Sequence, residues 1–137
     1  ARALGVRLGT FLDDSENFGP VVNRSTDHQQ AATFSSQLSK ANSHMDFFSL
    51  ASRKAGRHME PFFIDLKPTT EGEKVSSSHE GEEFLFVLSG SVLVQYGKES
   101  YILGKGDSIY YDSIVDHLVT TSGDQPAQIL GIVYSPF

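Results

Sequence analysis

From Met45 onward the chain is a series of short, β-prone apolar runs separated by turn-forming residues. No amphipathic helical pattern interrupts this series, and glycine stands at most of the breaks. Many short strands punctuated by glycine predict an all-β sandwich or barrel of the jelly-roll type. We predict strands at Met45–Ala51, His58–Leu66, Glu83–Leu88, Ser91–Tyr96, Ser100–Leu103, Ser108–Tyr111, His117–Thr121 and Ala127–Tyr134.

The first 44 residues have a different character. Leu4, Leu8, Phe11 and Leu12 fall at helical spacing, which predicts a short helical segment that needs a partner surface. The sequence opens without a methionine, so we expect an upstream segment. We therefore divide the chain into a helical tail over 1–14, a polar linker with one or two edge strands over 15–44, and a β-barrel over 45–137.

Charge and composition exclude several functional classes. Residues 61–137 carry four lysines, no arginine and eleven acidic residues, so this part repels phosphate backbones and does not itself bind nucleic acid. No apolar run approaches the roughly 18 residues of a membrane span, and no secretory leader opens the sequence. We expect a cytoplasmic location. Cysteine is absent, which excludes disulfides and thiolate metal sites.

One group of residues has the composition of a metal centre. Side chains two apart in an extended chain share a face, so His79 and Glu83 point the same way around Gly81. His117 begins a later strand and can supply a third ligand from another wall. Two imidazoles and one carboxylate form a 2-His-1-carboxylate set with open metal positions. We predict a divalent metal, with Fe, Zn, Ni and Mn equally compatible; the alternative is a metal-free polar cluster.

Further candidates lie close to this group in the sequence. Because neighbouring strand residues face opposite ways, one of Tyr110 and Tyr111 faces the interior, where its phenol could bind a ligand or pack across strands. The Ser77 hydroxyl could bind a metal-linked water or cap a loop. His44 and His58 are interpreted as surface or rim histidines rather than further ligands. The basic group Arg53, Lys54 and Arg57 is interpreted as a solvated turn, with anion or partner docking as the alternative.

These patterns resemble the two motifs of the cupin family. The positions that match or replace motif residues are Ser77, His79, Glu83 and Gly90 in the first motif and Gly106, Asp112, Ile114, His117 and Thr121 in the second. Ser77 stands where the first motif has its first histidine, and Thr121 where the second has its asparagine. The resemblance implies a double-stranded β-helix barrel with metal ligands His79, Glu83 and His117, and ligand-binding residues Ser77, Tyr111 and Thr121. The usual four-ligand site is thereby reduced to three ligands.

A second resemblance concerns the first twelve residues. The run Ala3-Leu4-Gly5-Val6-Arg7-Leu8 is similar to the end of a lambda-repressor-like (Xre-type) helix-turn-helix domain, which bacterial transcriptional regulators join to a C-terminal cupin. This resemblance implies a ligand-sensing domain with a small-molecule effector. It also implies DNA contact only through an upstream helix-turn-helix. The apolar run over 129–137 and the pairing common among cupin barrels predict a homodimer. We take this as the predicted function.

Two alternatives stay open. The same triad before a similar apolar strand resembles iron-dependent cupin oxygenases and epoxidases, although a phosphonate substrate would find few cationic partners where arginine is absent. The replacement by Ser77 also permits a metal-free small-molecule binding module.

Overall fold

The computed structural model describes residues 18–25, 44–69 and 76–135, and the described part forms eight β-strands without an α-helix. The predicted helical tail over 1–14 and most of the predicted linker lie outside the described residues. Each predicted strand is present, with bounds shifted by at most two residues. The strands are β1 Met45–Ser49, β2 Met59–Leu66, β3 Glu82–Ser89, β4 Val92–Tyr96, β5 Glu99–Leu103, β6 Ser108–Asp112, β7 His117–Thr121 and β8 Ala127–Tyr134.

The strands form two antiparallel sheets. One sheet has the order β1-β2-β8-β3-β6, and the other has the order β5-β4-β7. β8 lies between β2 and β3, and β7 pairs with β4, so neighbours in space are distant in sequence, as in a jelly roll. The predicted all-β barrel is confirmed. Within the described ranges, no helix is long and apolar enough to cross a membrane.

The core lies between the two sheets and follows the two-residue alternation of the strands. In β2, Phe62, Ile64 and Leu66 are buried, and Val87 and Ile129 of β3 and β8 join them. Each such side chain contributes about 1.5–3 kcal/mol on full burial. This alternation also determines which residues of β3 and β6 face the barrel interior, among them Glu83 and Tyr111.

One end of the barrel is closed by two connections that run side by side. Ser77 forms an isolated antiparallel bridge with His117 at the start of β7, through two backbone hydrogen bonds of 2.9 Å. His79 donates its backbone N–H to the Ser113 carbonyl at 3.0 Å, and Ser113 donates to the Gly81 carbonyl at 2.9 Å. The segment before β3 is therefore held against the β6–β7 connection.

The basic turn between β1 and β2 is exposed at Arg53, as a solvated turn should be, but its side chains also bind backbone carbonyls of the protein. Arg53 donates to the Val22 carbonyl and Lys54 to the Phe18 carbonyl, each at 2.8 Å. Arg57 pairs with Glu60 and donates to the Lys54 carbonyl. The turn therefore anchors residues 18–22, a role that the sequence interpretation missed because backbone carbonyls leave no pattern in a sequence.

Candidate metal centre

The structure brings His79, Glu83 and His117 together at the closed end of the barrel. One ligand atom from each lies within 4.8 Å of the other two. Glu83 Oε2 is 2.7 Å from Nε2 of His79 and 3.3 Å from Nε2 of His117. His117 is almost fully buried, whereas 32% of the His79 side chain is exposed, so the cluster opens to solvent beside His79.

Both imidazoles are oriented by their second nitrogen. His117 donates Nδ1–H to the Val115 carbonyl at 2.8 Å, and His79 donates Nδ1–H to the Glu80 carbonyl at 3.3 Å. If both rings are neutral, these bonds place the proton on Nδ1 and turn the Nε2 lone pair of each ring towards Glu83; a ring that is protonated instead donates Nε2–H to Glu83. Metal-binding histidines are typically held in this way, with one nitrogen on a carbonyl and the other on the ion.

The Glu83 carboxylate is held by two hydroxyl donors. Tyr111 donates to Oε1 at 2.7 Å, and Ser113 donates to Oε2 at 3.0 Å. Ser113 is completely buried and was not predicted from the sequence, since a small polar residue after a strand has many ordinary roles. The two donors fix the rotamer of Glu83, with Oε2 towards the histidines.

These contacts determine the ionisation of the carboxylate and the phenol. Burial raises the pKa of Glu83, but hydrogen bonds with His117, His79 and Tyr111 outweigh it and hold the pKa well below its ordinary value of 4.5. Burial, reinforced by the Glu83 charge, raises the pKa of Tyr111 far above its ordinary value of 10.0. At neutral pH the pair is therefore a carboxylate and a phenol that donates to it.

The donor set fits a divalent cation. With neutral imidazoles, two nitrogen lone pairs face one carboxylate oxygen at contact distance, an arrangement that repels unless a positive charge lies between them. A proton on His79 relieves this in part, and a divalent ion relieves it for all three groups. The cluster has the ligand set of a mononuclear divalent metal centre, as predicted.

A cavity of about 40 Å³ extends from the cluster into the barrel. This volume accommodates only a few water-sized groups. Apart from Ser77 and the cluster, the lining is apolar, and none of the described residues in it is a lysine or an arginine; Met45, Phe47, Ile64, Leu85 and Val119 belong to it.

The remaining predicted residues divide into two groups. The Ser77 hydroxyl lies 3.4 Å from His117 Nε2, and the ring of Tyr111 packs 5.0 Å from that of His117, so both belong to the cluster. Thr121 ends β7, about 13 Å along the strand from His117, and its hydroxyl donates to the Gly123 carbonyl. The structure does not bring Thr121 to the cavity, and a ligand-binding role for it has no geometric support.

The other histidines are also separate from the cluster. His44 is buried rather than at a rim, and it donates Nε2–H to the Val119 carbonyl at 2.7 Å. His58 is not part of the cluster, although it lines a second, outer groove of about 690 Å³ that Glu83 also lines, together with Lys54 and Arg57.

Comparison with known proteins identifies the family. Residues 62–133, more than half of the chain, match the family described as "Cupin domain". No curated protein matches the chain at a significant level.

Solved structures share the fold at low sequence identity. The hydroxypropylphosphonic acid epoxidase from S. wedmorenis has a TM-score of 0.69 and 20% identity, covering 87% of this chain and 61% of that one. Fe(II)-HppE with the alternative substrate (S)-1-HPP gives 0.69 and 20%, covering 87% and 62%. The conserved SPY1581 protein of unknown function from Streptococcus pyogenes gives 0.55 and 19%, covering 68% and 75%. The chain thus spans about three fifths of the epoxidase structures' length, and these likenesses concern the fold alone.

Proposed function

This chain belongs to the cupin domain family, and we propose that it is the barrel of a mononuclear iron-dependent oxygenase or epoxidase. Fe(II) would be held by His79, Glu83 and His117. The observation that carries the proposal is the convergence of two Nε2 atoms and one carboxylate oxygen within 4.8 Å, with both Nδ1 atoms already committed to carbonyls. A 2-His-1-carboxylate set with open positions is the usual site of non-haem Fe(II) oxygenases.

The comparisons support iron over the other divalent metals. Two structures with the same fold are an epoxidase of hydroxypropylphosphonic acid and an Fe(II) form of HppE with a substrate. Because the sequence identity to them is 20%, these structures support the proposal only through similarity of fold. The chemical support comes from the 2-His-1-carboxylate ligand set. This makes the enzyme a better-supported function than the regulator that the sequence predicted.

The residues of this chain have defined tasks in such a site. Bound Fe(II) supplies the one-electron and dioxygen chemistry that amino-acid side chains lack. Glu83 offsets one of its two charges, while Tyr111 and Ser113 keep Oε2 in place. The apolar cavity wall limits the entry of water, which protects reactive species and strengthens electrostatic interactions inside.

The charges around the cavity restrict the substrate. A divalent ion with one carboxylate ligand leaves a single positive charge, which a neutral or singly charged ligand suits. A doubly ionised phosphonate would leave negative charge buried, with no lysine or arginine among the described lining residues to offset it. We therefore expect a small substrate with a largely apolar body and one oxygen donor.

A second candidate function is favoured by the N-terminal sequence. Its helix-turn-helix-like pattern supports the alternative that 1–14 is the end of a DNA-binding domain, 15–44 a linker and 45–137 its sensor barrel. A small-molecule effector would then bind at the same metal, DNA contact would come only from an upstream domain, and the protein would be a homodimer. A sensor function and an enzymatic function are both compatible with this fold, because one fold can carry unrelated functions.

Reconstitution with Fe(II) under anaerobic conditions tests the proposal. We expect about one ion per chain, bound with open positions that accept nitric oxide as a surrogate for dioxygen. Dioxygen uptake with a panel of small alcohols and alkenes then identifies an enzyme. Tight Fe(II) binding without nitric oxide binding would contradict an oxygenase, and effector binding without dioxygen uptake would favour the sensor.

A further inference from the structure

The outer groove lies on the face of the larger sheet that points away from the core, and its lining is largely apolar. Met59, Tyr110 and Tyr134 line it with exposed fractions of 56%, 65% and 39%, and the half-buried Pro61 and Ile132 complete the surface. Large apolar side chains that are exposed side by side typically mark a surface that binds a partner. The groove is therefore a candidate docking site.

We infer that the occupant of the outer groove is the N-terminal segment of the same chain, residues 4–12. The sequence predicts a short helical stripe in this segment, formed by Leu4, Leu8, Phe11 and Leu12. A helix this short is marginal alone and needs a surface to pack against. Docking requires no bound metal and is separate from the reaction at the candidate metal centre.

The described chain places the end of this segment at the rim of the groove. Lys54 and Gly56 both line the groove. Lys54 Nζ donates to the Phe18 carbonyl at 2.8 Å and lies 5.6 Å from the centre of the Phe18 ring. A Cβ at Gly56 would lie 2.7 Å from the same ring. Residues 1–17 thus begin their course, counted back from Phe18, at one end of the groove.

The dimensions of the segment match those of the sheet face. Pro61, Ile132, Phe84 and Tyr110 are opposed in register across β2, β8, β3 and β6. Neighbouring strands are about 4.8 Å apart, so this row spans about 14 Å. A helix rises about 1.5 Å per residue, so residues 4–12 span about 12 Å. Residues 13–17 can bridge at most about 17 Å, which is enough to connect the row to Phe18.

The charges of the segment and the groove are complementary in the same order. Three acidic residues precede Phe18, and three basic residues form the turn beside it: Asp13, Asp14 and Glu16 in the segment, and Arg53, Lys54 and Arg57 in the turn. Arg57 pairs with Glu60, which leaves the turn with a net positive charge. Towards the start of the segment stand Arg2 and Arg7, and the far end of the groove carries Glu82, with Asp112 opposite it in β6.

Tethering favours this occupant over a separate partner. A segment joined to the rim by a few residues has an effective concentration at the groove in the millimolar range. A second copy of the chain or another protein has to exceed that concentration to displace it. Continuity at Phe18, matching length and matching charge order together point to docking within one chain.

Cross-linking tests the placement directly, because the chain has no cysteine and two can be introduced as a unique pair. We expect Leu8→Cys with Met59→Cys to form an intramolecular cross-link with a short bis-maleimide about tenfold faster than the control pair. The control pair is Leu8→Cys with Ile102→Cys, because Ile102 is 70% exposed on β5 of the other sheet. Equal rates for the two pairs, or a cross-link found only between two chains, would overturn docking within one chain.

Proteolysis of the full chain tests the same contact without cysteines. Trypsin cleavage after Arg7, followed by mass spectrometry, reports how often the segment leaves the groove. We expect Phe11→Asp in the stripe and Met59→Asp in the groove each to accelerate this cleavage about tenfold, because each places a charge in an apolar contact. Thr10→Asp, off the stripe, and Ile102→Asp are the matched controls and should leave the rate unchanged. Acceleration by Phe11→Asp alone would show that the segment docks elsewhere, and no acceleration by either variant would show that it does not dock; both results overturn the inference.

Discussion

Tyr111 donates its hydroxyl to Oε1 of Glu83, the carboxylate oxygen that does not face the two histidines. The bond is 2.7 Å long, and both side chains are largely buried. Because this bond occupies Oε1, Oε2 is the oxygen that faces the two histidines. Glu83 would therefore bind a metal as a monodentate ligand.

Removing this hydroxyl should weaken metal binding without unfolding the barrel. Tyr111→Phe frees Glu83 to rotate, and loss of a residue that orients a metal ligand typically costs about 10–100-fold in affinity. Titration with Fe(II) or Co(II) measures the effect. Tyr110→Phe is the matched control, because Tyr110 is its exposed neighbour and bonds to Glu82 on the outer face. Equal affinities in the two variants would contradict a role for Tyr111.

The histidines should both be required for metal but differ in their importance for stability. We expect His79→Ala and His117→Ala to abolish stoichiometric metal, measured by elemental analysis. Without metal, thermal unfolding should be affected less by loss of the partly exposed His79 than by loss of the buried His117 and its bond to Val115, which should cost about 1–3 kcal/mol. His58→Ala, in the outer groove, is the control. Full occupancy in either cluster variant would refute the site.

The metal-free protein should be most stable in mildly acidic solution. The hydrogen bond with Glu83 raises the pKa of His79 above 6.5, so its contribution is complete below 6.5 and is lost as pH rises through the folded value. The pKa of Glu83 is lowered, so its contribution is present above 4.5 and is lost as pH falls. The combined contribution is therefore greatest between 4.5 and 6.5.

Metal should reverse this pH dependence, because a metal ligand must be a neutral imidazole. Melting temperatures with and without Zn(II) across this range and above provide the measurement, with His79→Ala as the variant in which the metal-free dependence flattens. A metal-free protein that gains stability as pH rises above 6.5 would show that the His79–Glu83 pair does not form in solution.

Gly81 should be intolerant of substitution. Its φ of 121° disfavours other residues, and a Cβ there would overlap the backbone carbonyl of Tyr134, which cannot yield as a side chain can. Gly81→Ala is expected to lower the free energy of unfolding by about 2 kcal/mol or more and to displace His79 from Glu83, with loss of metal. Gly123→Ala is the control, because nothing lies within 4 Å of a Cβ at that position. Chemical denaturation and metal titration of both variants test this.

The fold was largely predictable because its signals are local. The alternation in residues such as Phe62, Ile64 and Leu66, and the glycines between runs, indicate strands wherever they occur. β2, β3, β4 and β8 show this alternation of burial, whereas β7 is buried at all five positions. The order of the strands, with β8 between β2 and β3, was not predicted, because it depends on tertiary packing and no local pattern of residues encodes it.

The candidate site was predictable where side chains carry their own chemistry. His79, Glu83 and His117 stand out as metal-ligand types, and the tyrosine pair indicates that one phenol faces inward; the structure identifies it as Tyr111. Ser113 was not identifiable, because its contribution comes from burial beside Glu83 and not from the residue type.

The position of a residue within a family motif did not by itself indicate which contacts its side chain makes. Thr121 was selected as the counterpart of a motif asparagine, yet its hydroxyl is used in a turn at Gly123. His44 was assigned to a rim because it precedes a strand, and burial against β7 depends on tertiary packing that no local pattern encodes.

Hydrogen bonds from Lys54 and Arg53 hold the backbone of Phe18 and Val22 against the β1–β2 turn. β2, which follows this turn, pairs with β8, and β8 pairs with β3, the strand that carries Glu83. The attachment point of residues 18–22 and the candidate metal centre therefore belong to one hydrogen-bonded sheet, whichever of the two proposed functions the barrel serves.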